Sequence, residues 1–286
     1  MNASSEQLRE TIEMTRGRCC ASDGGPVLPR PKKMSTATGP PVRSGWRVPP
    51  TTMYVKELWR YPVKSMRGEH LVEAEVGLDG IAGDRLVHVE GPRGLITSRT
   101  RPGLLGLSAT FDPAGEALVE GDPWWNPRVE ALVSEAAGPE AYLVPYDGPE
   151  RFDILPLLVA TDGAIAAFGR DGRRLRPNIV IGGVQGLAER HWEARGLVVG
   201  AAGVYLHSLR ERCIMTTFNP DTLEQDVEVL RDIRRRFGGR LALNTDVLRT
   251  GIVRVGDPVR LLDPDETDTL MRESGARLAS DQAPGL

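Results

Sequence analysis

The chain has 286 residues, of which 40% are hydrophobic and 26% are charged, the balance of an ordinary globular protein of one or two domains. Its 36 basic and 39 acidic residues give a net charge of -3, which gives no indication of binding to nucleic acid or to a membrane surface. No stretch reaches the roughly 20 apolar residues of a transmembrane helix. Three cysteines cannot form a disulfide framework, so we expect a reducing, cytoplasmic location.

Residues 1–52 are predicted to be a disordered N-terminal extension. They hold eight basic and four acidic residues, many prolines and almost no periodic apolar pattern. Such a segment cannot bury enough apolar surface to offset the entropy lost on ordering.

Residues 53–150 are predicted to form a first domain of short strands. The predicted elements are strands at Tyr54–Tyr61 and Leu71–Val76, a hairpin of Leu86–Glu90 with Leu95–Ser98 around Gly91-Pro92-Arg93-Gly94, strands at Leu104–Phe111 and Ala117–Glu120, and a helix over Arg128–Ala137. Short strands at this spacing are typical of a β-barrel or sandwich.

Residues 151–265 are predicted to form a second unit, and residues 266–286 a polar C-terminal tail. In order, we expect a strand running into a helix over Leu157–Phe168 with Thr161 or Asp162 as N-cap, strands at Asn178–Ile181, Leu197–Val199 and Val204–His207, the segment Cys213–Phe218, a helix from Leu223 to Phe237 capped by Thr222, a hairpin of Gly251–Val255 with Val259–Leu262, and a helix over Glu266–Leu278. The predicted fold class is α+β, mainly β, with no βαβ alternation.

Cys213 is the one cysteine that follows the N-terminal extension. Arg210 and Arg212 lie within three residues of it, and cationic neighbours favour the thiolate, which is both a nucleophile and a soft metal ligand. A buried core cysteine beside Ile214 and Met215 is the alternative that this pattern leaves open.

Four loops carry cationic or hydroxyl side chains. They contribute Lys64 and Ser65, Arg85, Arg99, and Arg176 with Asn178. Guanidinium forks, hydroxyl groups and glycine-rich backbone are the parts that bind phosphate and planar polar rings. Each loop alone is more typical of a solvated surface turn, and the sequence pattern does not show whether the loops converge. The sequence has no P-loop, GxGxxG, GxSxG or HExxH motif.

Four stretches in this order resemble MOSC-domain proteins that carry an N-terminal MOSC β-barrel domain. They are residues 59–68 (WRYPVKSMRG), 83–85 (GDR), 176–181 (RPNIVI) and 212–217 (RCIMTT). The resemblance covers about residues 53–263 and is closest to the mitochondrial amidoxime-reducing component and its bacterial relatives. It implies an N-terminal β-barrel domain over 53–150 and a MOSC-type, barrel-like domain with a few helices over 151–265.

The resemblance also implies a molybdenum cofactor, Mo-molybdopterin, and assigns roles to seven residues. Cys213 corresponds to the catalytic thiolate that ligates the metal. Lys64, Ser65 and Arg85 match positions that hold the pterin phosphate or ring. Arg99, Arg176 and Asn178 lie in stretches that line the same cofactor. Glu211 stands where the family has a small polar residue, a departure that bears on substrate preference more than on cofactor binding.

The implied activity is the reduction of small N-hydroxylated substrates to amines and water. Because the sequence has no CxxxxCxxC run for a [2Fe–2S] cluster, the electrons are expected from a separate ferredoxin- or flavin-reductase-like donor. A non-catalytic carrier of the molybdenum cofactor or of sulfur is the alternative. A third hypothesis is a degenerate, metal-free protein with a redox-active Cys213.

Overall fold

A computed structural model describes residues 52–146 and 151–281, with side chains described up to residue 275 in the last helix. The predicted N-terminal extension, apart from Thr52, lies outside these residues. Within them the protein is mostly β, as expected.

Seventeen strands are found in the described residues. They are β1 (Tyr54–Arg60), β2 (Glu69–Leu71), β3 (Glu73–Gly77), β4 (Gly80–Ile81), β5 (Val87–Gly91), β6 (Gly94–Ile96), β7 (Ala109–Phe111), β8 (Ala117–Val119), β9 (Asp122–Pro123), β10 (Tyr142–Pro145), β11 (Leu157–Thr161), β12 (Ile179–Gly182), β13 (Arg195–Val199), β14 (Ala202–Glu211), β15 (Arg240–Arg249), β16 (Gly251–Arg254) and β17 (Val259–Leu261). The α-helices in the same ranges are α1 (Pro127–Ala137), α2 (Asp162–Phe168), α3 (Glu228–Phe237) and α4 (Pro264–Asp281).

One sheet of eight strands, in the order β17-β13-β14-β15-β11-β12-β1-β2, spans both predicted domains. β1 pairs antiparallel with β12, placing Leu58 opposite Ile179, and β16 pairs with β3. The predicted boundary at residue 150 therefore does not separate two sets of sheets. In the described residues the strand pairings form this sheet and three sheets of three strands, rather than a closed barrel.

The prediction of no βαβ alternation is wrong at one place. β11 and β12 are parallel neighbours, and α2 lies in the connection between them. Thr161 is the N-cap, since its hydroxyl accepts from the Ala164 N–H at 3.0 Å. The Asp162 carboxylate instead accepts from the N–H groups of Gly183 and Val184, which fixes the chain after β12.

The predicted strand Leu104–Phe111 is wrong in its first half. Residues 102–106 form a 3-10 turn that begins at Pro102, and only Ala109–Phe111 is extended. Gly103 allows this turn to approach α1, because a Cβ at Gly103 would lie 2.7 Å from the carbonyl oxygen of Ala136.

The predicted start of α3 is also wrong: the helix begins at Glu228, five residues after Leu223. Asn219 fixes a turn by accepting from the N–H groups of Asp221 and Thr222, and Leu223 has a φ of 61°. The predicted end of α3 is confirmed, since Gly238, the residue after Phe237, has the left-handed conformation.

Two further elements differ from the sequence interpretation. The ten-residue strand β15 was not predicted, although it pairs with both β14 and β11 in the eight-stranded sheet. The C-terminal segment is a docked helix and not a free tail, because Thr267 and Leu270 of α4 are buried and the Thr267 hydroxyl accepts from the Gly196 N–H at 2.9 Å.

Candidate functional site

One cleft brings together side chains from both halves of the chain. Its empty volume, counted out to the solvent at its mouth, is about 860 Å³. All seven residues singled out by the sequence line it: Lys64, Ser65, Arg85, Arg99, Arg176, Asn178 and Cys213. The sequence pattern could not show whether these residues converge, and the structure brings them together in one cleft.

Cys213 lies at the end of β14, where the chain turns into a short 3-10 segment, Ile214–Thr217. Its carbonyl oxygen accepts from the N–H of Thr216 at 3.1 Å and from the hydroxyl of Thr216 at 2.8 Å. Its thiol is free and partly exposed. The backbone at Cys213 is thus fixed, and the side chain faces the cleft rather than the apolar core.

Lys64 and Ser65 lie in the turn that follows β1. The Lys64 N–H donates to the Val87 carbonyl at 2.7 Å, and the Lys64 ammonium donates to the Arg151 carbonyl at 2.9 Å. Burial lowers the pKa of Lys64 against the opposing effect of Asp153. Asp153, 3.2 Å from this ammonium, therefore compensates for only part of the water that Lys64 has lost.

The ring of Tyr61 contacts two guanidinium groups. The guanidinium carbons of Arg85 and Arg176 lie 5.3 and 4.3 Å from its centroid, which is cation–π distance. Burial raises the pKa of Tyr61 to about 12, so its hydroxyl is neutral and donates to the Pro177 carbonyl at 3.1 Å. Tyr61 therefore orients both cations without neutralising either.

Three of the cleft residues have left-handed backbone. Ser65, Arg85 and Arg176 have φ values of 75°, 54° and 53°, a conformation that is strained for residues other than glycine. Such strain persists only where the surroundings impose it, and it concentrates at functional sites. Its occurrence at three positions around one cleft supports a binding role for the cleft.

Asn178 is fully buried, and both ends of its side-chain amide are hydrogen-bonded within the protein. Its oxygen accepts from the Leu158 N–H at 3.1 Å, and its nitrogen donates to the Trp59 carbonyl and to Asp84, both at 3.3 Å. Asp84, also fully buried, forms an ion pair with Arg85. Asn178 is thus placed to position Arg85 through Asp84.

The sequence interpretation missed Asp153, which lies among three of the cations. Its carboxylate forms ion pairs with Lys64 at 3.2 Å, Arg99 at 3.1 Å and Arg210 at 3.0 Å. Burial alone would raise the pKa of Asp153, but these three cations together lower it. No sequence motif singles out Asp153, because it lies in a loop that has no periodic apolar pattern.

Arg210 and Arg212 flank Cys213 in sequence and line the cleft with it. Arg212 donates to the Leu175 carbonyl at 2.7 Å, while its Nε is buried without a partner. Burial, followed by the charge of Arg210, lowers the pKa of Arg212 to about 10. Both arginines were noted in the sequence, and proximity to the cysteine was the signal.

Glu211, the departure from the family pattern, has an exposed side chain that pairs with Arg240 at 3.2 Å. Its charge is therefore partly compensated away from the thiol.

The charge of the cleft wall is strongly positive. Its basic residues are Lys64, Arg85, Arg99, Arg174, Arg176, Arg210 and Arg212, against the two acids Asp153 and Glu211. Buried cations need compensating anions. A phosphate-bearing anion therefore fits this wall, and a partly exposed thiol beside two arginines fits a soft metal. The donor set thus suits a phosphorylated metal cofactor such as Mo-molybdopterin.

None of the helices in the described ranges is long and apolar enough to cross a membrane.

Comparison with known proteins identifies two domains and a set of relatives. A model of the MOSC N-terminal beta barrel domain matches residues 52–130, and a model of the MOSC domain matches residues 166–260. Mitochondrial amidoxime-reducing component 1 of Homo sapiens is 25% identical over 288 residues, covering 73% of this chain and 82% of the relative. Mitochondrial amidoxime reducing component 2 of Homo sapiens is 25% identical over 277 residues, covering 72% and 82%.

Solved structures are similar at lower levels. The YUAD protein from Bacillus subtilis has 14% identity and a TM-score of 0.40, covering 73% of this chain and 95% of its own. YiiM from Geobacillus stearothermophilus has 18% identity and a TM-score of 0.31, covering 38% and 54%.

Proposed function

Because this chain is a MOSC-domain protein with a MOSC N-terminal β-barrel domain, we propose that it binds the molybdenum cofactor in the cationic cleft and reduces N-hydroxylated compounds to amines. The observation that carries the proposal is the partly exposed thiol of Cys213, surrounded by the basic residues of the cleft wall. The names of the relatives, which describe them as amidoxime-reducing, give the substrate class.

Each part of the cleft has a role in holding such a cofactor. Cys213 would supply the thiolate ligand of the metal. Lys64, Ser65 and Arg85 would hold the phosphate, since they combine an ammonium, a hydroxyl and a guanidinium that can donate together. Arg99 and Arg176 would contact the organic scaffold.

When bound, the cofactor supplies the two-electron chemistry that cleaves the nitrogen–oxygen bond of the substrate. The protein would position the cofactor and compensate its negative charge. Arg210 and Arg212 flank Cys213 and place two positive charges beside the proposed metal ligand. Asp153, whose pKa is lowered, is ionised at neutral pH and holds cations rather than donating a proton.

The electrons are proposed to come from a separate ferredoxin- or flavin-reductase-like protein. The location is proposed to be cytoplasmic, whereas the relatives carry mitochondrial names.

The test replaces Cys213 with serine. We expect the purified Cys213→Ser protein to lose its molybdenum, measured by mass spectrometry of the metal, and to reduce no benzamidoxime with reduced methyl viologen as donor. Its circular dichroism spectrum should match the wild type. A Cys19→Ser/Cys20→Ser double variant, which removes the other two thiols, should keep both metal and activity.

Three results would contradict parts of the proposal. Full benzamidoxime reduction by Cys213→Ser would refute the role of the thiol. A wild-type protein that holds molybdenum but reduces no substrate would be a carrier of the cofactor. A wild-type protein that holds no molybdenum after expression in a molybdenum-replete host would refute cofactor binding.

A further inference from the structure

A second, smaller cavity adjoins the cationic cleft. Its empty volume, again counted out to solvent, is about 470 Å³. Arg174, Arg176 and Met215 line both cavities, so these side chains form the wall between them. Met215 is two residues from Cys213, which places the smaller cavity next to the proposed reaction site.

Two guanidinium groups in this cavity have no acceptor. Within the described part of the chain, the side chains of Arg67 and Arg176 make no hydrogen bond or ion pair, and Arg67 Nε is buried without a partner. The Arg174 guanidinium donates to the Thr216 carbonyl. Because a buried donor without a partner is costly, the Arg67 guanidinium indicates a place for an anionic ligand.

The neighbouring Arg173, which lines the same cavity, has carboxylate partners for its guanidinium group. It forms ion pairs at 2.6 Å with Asp171 and with Asp221. Asp221 is close enough to Arg67 to interact with its charge, but its carboxylate accepts from Arg173, which leaves the Arg67 guanidinium without a hydrogen-bond acceptor in the described residues.

The rest of the wall is apolar and partly aromatic, formed by Trp59, Leu105, Phe218 and Pro220. The main chain at Gly68 completes it, and a Cβ there would lie 2.3 Å from the carbonyl oxygen of Arg60. An anion bound here would thus lie against flat apolar surfaces, which favours an aryl group over a hydrated inorganic ion.

We propose that the smaller cavity is a specificity subsite for the carboxylate of an aryl carboxylate, with Arg67, which lines this cavity and not the cleft, as its main donor and Arg176, which lines both, as a second donor shared with the cofactor. Planar guanidinium forks match the two oxygens of a carboxylate. In the reaction proposed above, on which this assignment rests, the subsite selects N-hydroxylated substrates whose aryl body carries a carboxylate.

Binding is tested first, without turnover, by isothermal titration calorimetry of the purified full-length protein with benzoate and with its neutral analogue benzamide. The wild type should bind benzoate at least about tenfold more tightly than benzamide, since a charge-assisted hydrogen bond contributes about 1.5–3 kcal/mol. Arg67→Met, which keeps a long apolar side chain, should remove that preference.

Three controls accompany the titration. Arg93→Met changes an exposed arginine of the β5–β6 turn and should leave both affinities unchanged. Arg67→Lys, which keeps the charge but loses the fork, should give an intermediate benzoate affinity and serves if Arg67→Met does not fold. Inorganic phosphate should not compete with benzoate; full competition at equal concentration would mean a general anion site and would overturn the aryl assignment.

Turnover then separates this inference from the proposed function. In active enzyme, Arg67→Met should raise KM for 4-carboxybenzamidoxime about tenfold and leave benzamidoxime kinetics unchanged. If no amidoxime is reduced but benzoate binding still depends on Arg67, the proposed function fails and the subsite stands. Equal binding of benzoate and benzamide, or no effect of Arg67→Met on either, would overturn the subsite.

Discussion

The amide of Asn178 joins three parts of the cleft wall: the chain at Leu158, the carbonyl of Trp59 in β1 and the carboxylate of Asp84. Removing the amide would leave a buried N–H, a buried carbonyl and part of a buried carboxylate without partners. Each such loss costs about 1–3 kcal/mol. Asn178 is therefore expected to act on ligand binding through Arg85, which Asp84 holds.

We predict that Asn178→Leu lowers the free energy of unfolding by about 3 kcal/mol, measured by urea denaturation. Asn219→Leu is the matched control: its amide oxygen accepts from two N–H groups of an exposed turn, where water can replace it, so the loss should stay below about 1 kcal/mol. An Asn178→Leu protein as stable as the wild type but deficient in molybdenum would instead indicate direct contact with the cofactor.

At the scale of residues, the sequence indicated which residues line the cleft better than it indicated which partners their side chains bind. Lys64, Arg85 and Cys213 stood out through charge and rarity, and all line the cleft. Whether an amide faces a ligand or a neighbouring strand depends on register across segments distant in sequence, as in the pairing of Leu58 with Ile179. No local pattern carries that information.

At the scale of elements, α4 shows how a polar helix can be part of the structure. Its outer positions are exposed, but Leu270 is 5% exposed and contacts Gly203, where a Cβ would lie 3.0 Å from a Leu270 methyl group. Small residues in β13 and β14 thus leave room for the helix. Composition alone predicted a polar tail, because one buried leucine does not change the average polarity of residues 266–286.

We predict that Leu270→Ala lowers the free energy of unfolding by about 2–3 kcal/mol, the usual cost of truncating a buried leucine. Met271→Ala, at the adjacent position where the side chain is 43% exposed, should change it by less than about 0.5 kcal/mol. Urea denaturation of both variants measures the difference. Similar losses in the two variants would show that α4 does not dock through Leu270.

The errors in predicted elements have local causes. The start of α3 was set too early because the apolar spacing continues back to Leu223, whereas side-chain bonds from Asn219 and a pairing of Gln225 with Phe218 hold a turn there. The end of α3 was predicted because Gly238 is a left-handed C-cap. One glycine is enough to mark the end of α3, whereas its start depends on which of two local patterns prevails, the apolar spacing or the turn at Asn219.

At the scale of the molecule, the cleft exists because the two halves of the chain share sheets. β1 leads directly to Lys64 and Ser65, and it pairs with β12, which follows Arg176 and Asn178. β14 leads to Cys213 from the same sheet. The motifs therefore converge through strand pairing, which the sequence could suggest only through family resemblance.

Asp153 is an anion at the cleft wall that joins Lys64 and Arg99 from the first half of the chain to Arg210 from the second. It competes with any phosphate for the same donors. We predict that Asp153→Asn binds inorganic pyrophosphate about tenfold more tightly than the wild type, measured by calorimetry at fixed ionic strength. Asp221→Asn, which removes a carboxylate paired with Arg173, should bind it as the wild type does.

The same variant should change how stability depends on pH. Because the cations lower the pKa of Asp153 from its ordinary value of 3.8, its contribution to the free energy of unfolding is complete above that value and is lost as pH falls through the lowered pKa. Asp153→Asn should therefore be less stable than the wild type at neutral pH, with a difference that narrows in acid. A constant difference, together with unchanged pyrophosphate affinity, would mean that Asp153 is only a surface residue and that the cleft does not hold its cations for an anion.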